Sequence, residues 1–188
     1  GSEMCIRDSG KAAIISNSTF TGNVGYTFDT IDDTATLLAF DGTGPVEISK
    51  STFDSNHSIN ADLITARGPI TIYNAIFTGN TVGEGKGLLD SYGSYPNTLA
   101  HVTAEGNSSG RLTFNRSVPT IVNSVITGNG DEEIVATNGA ALSLYNNYLD
   151  ISHVNGLTSV DSGTVYESGS TLFVAVSYTH LRAQETTR

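Results

Sequence analysis

Carboxylates and guanidinium groups are the side chains of this sequence best suited to chemistry. Two carboxylates roughly 5 to 10 Å apart across a cleft would suit hydrolysis of a glycosidic bond. Asp41 and Asp90 are candidates for such a pair, with Arg116 as a cationic companion, and the set Asp29, Asp32 and Asp33 is an alternative. Those three aspartates lie in "FDTIDDT", whose oxygen-rich character suits calcium, although the spacing is not that of an EF-hand loop. A charged, solvated insertion would read the same way, and so would "GDEE" at 130–133. His57, His101 and His153 lack the mutual spacing of a metal site, and no nucleophile triad, phosphate loop or zinc pattern occurs.

Composition narrows the partners. The chain has 188 residues, 19 acidic against 9 basic, for a formal net charge of -10. Nucleic acids and anionic membranes both need a basic surface, so neither is expected to bind. No apolar run approaches the roughly 20 residues of a membrane span, and no secretory pattern opens the chain. Charged residues are only 15% of the total, while Gly, Ser, Thr and Asn are abundant. Such a mixture favours short strands and many turns over long helices.

The elements that must position the candidates come from a repeat. Aligned on an aliphatic residue, the chain reads "ISNSTFTGN" from Ile15, "ISKSTFDSN" from Ile48, "IYNAIFTGN" from Ile72, "LAHVTAEGN" from Leu99, "IVNSVITGN" from Ile121 and "LYNNYLDIS" from Leu144. Successive offsets are 33, 24, 27, 22 and 23 residues. Positions one and six are apolar in every copy and should face inward. They are five apart, so one straight strand cannot put both on the same face; a bend at the polar third position can. Position nine is Asn23, Asn56, Asn80, Asn107 and Asn129, then Ser152. Asparagine tolerates left-handed backbone, so this position reads as a turn.

A further strand precedes each later copy: "TLLAFDG" (36–42), "DLITARG" (62–68), "GLLDSYG" (87–93), "RLTFNRS" (111–117) and "EIVATNG" (133–139). Three short strands per 22 to 33 residues, recurring, are the signature of a solenoid. Stacked coils about 4.8 Å apart convert sequence offsets into surface columns. The residues before the closing Gly or Ser are Asp41, Arg67, Tyr92, Arg116 and Asn138, and they should share one outer edge. Such an edge could hold an acidic or neutral sugar chain by stacking and bidentate bonds. It would serve equally as a solvated turn column whose Asp41–Arg67 pair contributes little. The same count places Asp90 in a column with Ala39, Thr65, Phe114 and Ala136, without a second acid. The inward register of these strands stays open, because Leu37 and Leu38, and again Leu88 and Leu89, are both apolar.

The "I-x-N-S-x-F-x-x-N" unit resembles the repeats of right-handed, single-stranded parallel β-helices of the pectate-lyase-like superfamily. It looks most like the β-helical repeats of bacterial surface and autotransporter-type proteins. The resemblance implies an all-β solenoid of about six coils over residues 12–152, with "TLFVAV" (171–176) as a degenerate further coil. It also implies an extracellular or cell-surface stalk or adhesin contacting polysaccharide or a host glycan. Polysaccharide lyases of this fold imply a different role, with clustered carboxylates holding calcium and an Arg or Lys as base. A lyase or glycoside hydrolase working along the Asp41–Asn138 edge is therefore the alternative.

The ends differ in texture from the middle. Gly1 and Ser2 resemble a tag-cleavage scar, and "MCIRDS" and "SYTHLRAQET" resemble translated sequencing-adapter read-through at the edges of metagenomic contigs. The expected division is an artefactual arm at 1–9, a β-helix fragment of a longer protein at 10–176 and a second arm at 177–188. The only cysteine, Cys5, falls in the first arm and is not read as a functional thiol. Open coil ends invite pairing, so an arm is expected either to be disordered or to cap an end.

Overall fold

A computed structural model describes residues 6–8, 12–25, 36–130, 132–149, 154–160 and 163–166, with the backbone alone for 6–8, 157–160 and 165–166. "TLFVAV", the second arm and all of the first arm except Ile6–Asp8 lie outside these residues. The chain is an all-β parallel solenoid of about five turns. Two long sheets run along it. The first orders Ile6–Asp8, Leu38–Phe40, Ile64–Ala66, Gly87–Tyr92, Arg111–Asn115, Ile134–Thr137 and Val154–Asn155 side by side. The second carries the repeat itself, from Ala13–Ser16 through Ile70–Thr78 and Pro96–Glu105 to Leu157–Val160. A third, short sheet joins Val24–Gly25, His57–Ser58 and Thr81–Val82. Each strand pairs with its equivalent one turn away, and the rest of the turn is the crossover that parallel pairing requires.

The aligned copies are in register. Ile15, Ile48, Ile72, Leu99, Ile121 and Leu144 are successive partners, as are Phe20, Phe53, Phe77, Ala104, Ile126 and Leu149. The bend between them falls on the third position. Asn17, Lys50, Asn74, His101, Asn123 and Asn146 all have left-handed backbone, with φ from 48° to 54°. Rotation at this residue also turns position four inward, which the apolar pattern did not indicate. Where it is buried that column holds Ser51, Ala75, Val102, Ser124 and Asn147, mostly small or polar side chains. Its hydroxyls are satisfied locally, for Ser124 Oγ donates to the Val122 carbonyl at 2.9 Å and accepts from Val102 N at 3.1 Å.

Phe20, Phe53 and Phe77 form a stack with ring centroids 4.8 and 4.7 Å apart and planes within 5°. The coil spacing dictates this face-to-face contact. Beside the stack lies the ninth-position column, whose expected left-handed backbone falls instead one residue earlier, on Gly22, Ser55, Gly79, Gly106 and Gly128 with φ from 55° to 67°. Asn56, Asn80, Asn107 and Asn129 are buried, at 2% exposure or less. The carboxamide nitrogens of Asn23, Asn56, Asn80 and Asn107 donate to the next Asn Oδ1 at 2.8, 2.9, 2.8 and 2.6 Å. The second N–H of Asn56, Asn80 and Asn107 reaches back to the carbonyls of Phe20, Phe53 and Phe77. Each Oδ1 also accepts the backbone N–H of the preceding asparagine. Every polar atom of an interior amide is thus paired, as burial demands.

Glu133 terminates this column. Its carboxylate is fully buried and accepts from Asn129 N at 3.0 Å and Asn129 Nδ2 at 2.6 Å. The reading of "GDEE" as a solvated run is corrected here: Glu133 supplies the acceptor that the following copy, with Ser152 in this place, does not offer as an amide.

Asn80→Ala should lower unfolding free energy by about 3 kcal/mol or more, because it orphans buried groups on both neighbouring turns. Asn74→Gly, at a left-handed position that glycine enters freely, should change it by less than about 1 kcal/mol. Urea unfolding of the two variants measures the contrast, and equal losses would contradict this account of the column.

Candidate functional site

The outer face of the first sheet gathers most of the charged candidates. Its strands bury Leu38, Phe40, Ile64, Ala66, Leu89, Leu112, Phe114 and Ile134, and alternate residues point outward. The open question of the paired leucines has a simple answer. Leu37 and Leu38, Leu63 and Ile64, and Leu88 and Leu89 are all buried. Between Gly87 and Leu89 the register against Arg111 and Leu112 slips by one, leaving Leu88 as the extra inward residue. Gly87 is required at this slip, since a Cβ there would sit 2.2 Å from the Arg111 carbonyl oxygen.

The expected edge column does not run straight. Phe40, Ala66, Ser91 and Phe114 are partners, and Tyr92 pairs with Asn115, which pairs with Thr137. Asp41, Arg67 and Tyr92 therefore share a row with Asn115 and Thr137. Arg116 and Asn138 stand one residue further along, level with Gly93. The equivalence of the closing Gly and Ser residues is what misled the count: Gly93, Arg116 and Asn138 all have positive φ (121°, 63° and 55°), whereas Gly68 does not. The same slip corrects the Asp90 row, which reads Ala39, Thr65, Asp90, Thr113, Val135.

These residues meet as pairs. Arg67 Nε lies 3.7 Å from Asp41 Oδ1 with both side chains solvated, an arrangement worth little. The Arg116 guanidinium carbon sits 5.6 Å from the centroid of the Tyr92 ring, within cation–π range. Asn138 Nδ2 donates to Asn115 Oδ1 at 3.0 Å.

The acid that the Asp90 row lacks comes from the preceding turn. Asp62 Oδ1 accepts the Gly87 N–H at 2.7 Å, which fixes its carboxyl beside the bulge. Burial pushes the Asp62 pKa up, against the pull of the Gly87 N–H and the charges of Lys86 and Arg111. Asp90 is also raised, first by burial and then by the charge of Asp62. Asp62 thus lies near enough for its charge to act on Asp90, with the Arg111 guanidinium pulling the pKa of both down.

A cleft of about 410 Å³ opens at the start of these strands, lined by Glu84, Gly85, Lys86, Ser109, Arg111, Asn129 and Glu132. Arg111 Nη1 donates to Glu132 Oε2 at 2.7 Å and its other terminal nitrogen donates to the Gly85 carbonyl. Its Nε is buried without a hydrogen-bond partner among the described residues. The cleft exists because the coil narrows. The third sheet stops at Thr81–Val82, with a single bridge from Thr81 to Ser108 beyond it, so residues 83–86 overhang the shorter turns that follow. The drop in repeat offset from 27 to 22 was the sequence signal for this step.

Asp29, Asp32 and Asp33 lie outside the described residues. Among the described residues no group of three or more His, Cys, Asp or Glu side chains could hold a metal ion. His101 occupies a left-handed bend, and His57 belongs to the third sheet. No described helix is long and apolar enough to cross a membrane. No protein-family model matches the chain, and neither a curated protein nor a solved structure matches it. The parallel β-solenoid class therefore rests on the strand register alone.

Both carboxyls titrate above the 3.8 of a free aspartate, so the fold retains their protons more firmly than the unfolded chain does. The stability this lends is fully present below 3.8 and is lost as pH rises through their elevated values. Asp90→Asn should accordingly raise unfolding free energy at neutral pH and leave it nearly unchanged in acid below 3.8. Urea titrations at the two pH values provide the check, and an equal effect at both would rule out the ionisation penalty.

Proposed function

We propose that this chain is part of an extracellular bacterial surface protein of the β-helical, autotransporter-like kind, a stalk or adhesin whose first-sheet face contacts glycan. The observation that carries this reading is the Tyr92–Arg116 pair, exposed on a rigid sheet edge beside Asp41, Arg67 and Asn115. An aromatic face backed by a guanidinium can stack on a sugar ring and hold a carboxylate or hydroxyl at the same time. The rod-like scaffold supports the stalk component, because its buried amide and aromatic columns hold the outer faces at a fixed spacing.

Asp62 and Asp90 favour a second reading, a carbohydrate-active enzyme of the lyase or hydrolase type. Two carboxyls whose pKa values are raised by burial, next to Arg111, are the groups that proton transfer to or from a sugar would use. Calcium held by Asp29, Asp32 and Asp33 belongs to this reading.

A panel of acidic and neutral polysaccharides separates the two. The adhesin reading expects retention without turnover, and Tyr92→Ala or Arg116→Ala should weaken binding by about 1 kcal/mol, roughly fivefold. Turnover that is abolished by Arg116→Ala or Asp90→Asn would overturn it in favour of the enzyme.

A further inference from the structure

Three Asn-Gly dipeptides occur in the sequence, at Asn129–Gly130, Asn138–Gly139 and Asn155–Gly156. Glycine after asparagine leaves the following backbone nitrogen unshielded by a Cβ, which opens it to attack on the side-chain amide. The fold gives the three dipeptides different surroundings.

Asn129 is fully buried, and its carboxamide nitrogen is held by Glu133 Oε2 at 2.6 Å and the Ala104 carbonyl at 2.9 Å. Its Cγ cannot swing toward Gly130 without breaking that column. Asn155 sits in a strand paired with Ile134–Thr137, and Gly156 is packed so closely that a Cβ would lie 2.0 Å from the Ala136 carbonyl oxygen. Asn138 and Gly139 are both exposed, on a two-residue turn with positive φ. The Asn138 amide makes one exposed bond, to Asn115 Oδ1 at 3.0 Å. Gly139 has open space around its α-carbon, and its backbone nitrogen donates to no carbonyl among the described residues.

We propose that Asn138 is a site of spontaneous covalent modification, deamidation through a succinimide, while Asn129 is protected by its column. The Gly139 nitrogen attacks Asn138 Cγ and a new C–N bond forms. The Cγ–Nδ2 bond breaks, and the proton from the Gly139 N–H leaves with the side-chain nitrogen as ammonia. Water then opens the five-membered ring at either carbonyl, giving aspartate or isoaspartate. Solvent water is the only co-reactant, and no electron changes hands.

The change places a carboxylate where Asn138 stood, one turn from Arg116, whose guanidinium lies over Tyr92. A cationic spot on the sheet edge would then be partly neutralised, and an acidic glycan would be held less firmly. This consequence rests on the glycan reading above; the covalent chemistry does not.

Peptide mapping of the folded chain, aged in mildly alkaline buffer, tests the assignment, because cleavage after Glu132 or Glu133 separates Asn129 from Asn138. Amide loss at Asn138 should outrun loss at Asn129 by at least about tenfold, because the buried site reacts only through local opening. In denaturant the two rates should converge. Asn115→Ala, which frees the Asn138 amide, should accelerate its loss. A folded-state rate at Asn138 no faster than at Asn129, or a ratio unchanged by denaturant, overturns the proposal. Asn138→Asp should weaken retention on an acidic polysaccharide by roughly the twofold to fivefold of one surface charge pair. Unchanged retention would overturn the charge effect, whereas no retention even in the parent chain would count against the glycan reading and leave the mapping result standing.

Discussion

Each turn of this chain hydrogen-bonds to the next at the spacing of a parallel ladder, about 4.8 Å, and that spacing is the constraint on which the rest depends. Whatever occupies a position meets its own equivalent above and below. Flat rings tolerate this, so Phe20, Phe53 and Phe77 stack. Carboxamides tolerate it better still, because each carries both donor and acceptor. Like charges do not, and the outer edge answers by alternating Asp41 with Arg67 and Tyr92 with Arg116. The interior is therefore a set of columns, each chosen for what can bear repetition.

Much of this was legible in the sequence, for a physical reason. Inward aliphatics recur because the ladder repeats them, and the bend at position three recurs because only some residues enter left-handed backbone cheaply. The bend at Asn17, Asn74 and Asn123 was placed by polarity and by the five-residue spacing of the apolar positions, and Lys50 and His101 followed by position; the left-handed backbone there was expected at position nine instead. The ninth-position asparagines were read as turn formers, since that preference is local and visible. Their burial as a connected amide column is a property of neighbouring turns, which no single copy reveals. Position four was missed because Ser51, Ala75 and Ser124 are small and look neutral, yet they face the core.

The candidate site was legible in its parts and not in its assembly. Arg67, Tyr92, Arg116 and Asn138 were found by aligning Gly and Ser, and the rows differ because the left-handed residue is Gly93 in one turn and Arg116 or Asn138 in others. Asp62 is tied to Gly87 at the irregularity beside Leu88, an extra inward residue that alters register by one and that the sequence count did not contain. A cleft followed from the end of the third sheet, which sets Arg111 beneath the overhanging residues 83–86. Register slips and changes in coil width are small in sequence and large in space, because each shifts every residue that follows.

The asparagine column has one more property, which is electrical. From Asn23 to Asn129 one carboxamide N–H of each residue points toward the next turn, and the carbonyls of Asn56, Asn80, Asn107 and Asn129 point back toward the preceding one. Five aligned amide dipoles add as the peptide dipoles of a helix do, with the positive pole at the far end. Glu133 sits on that pole, where both of its carboxyl oxygens accept from Asn129. The column is thus directional along the axis of the coils and is closed at its positive end by an acid.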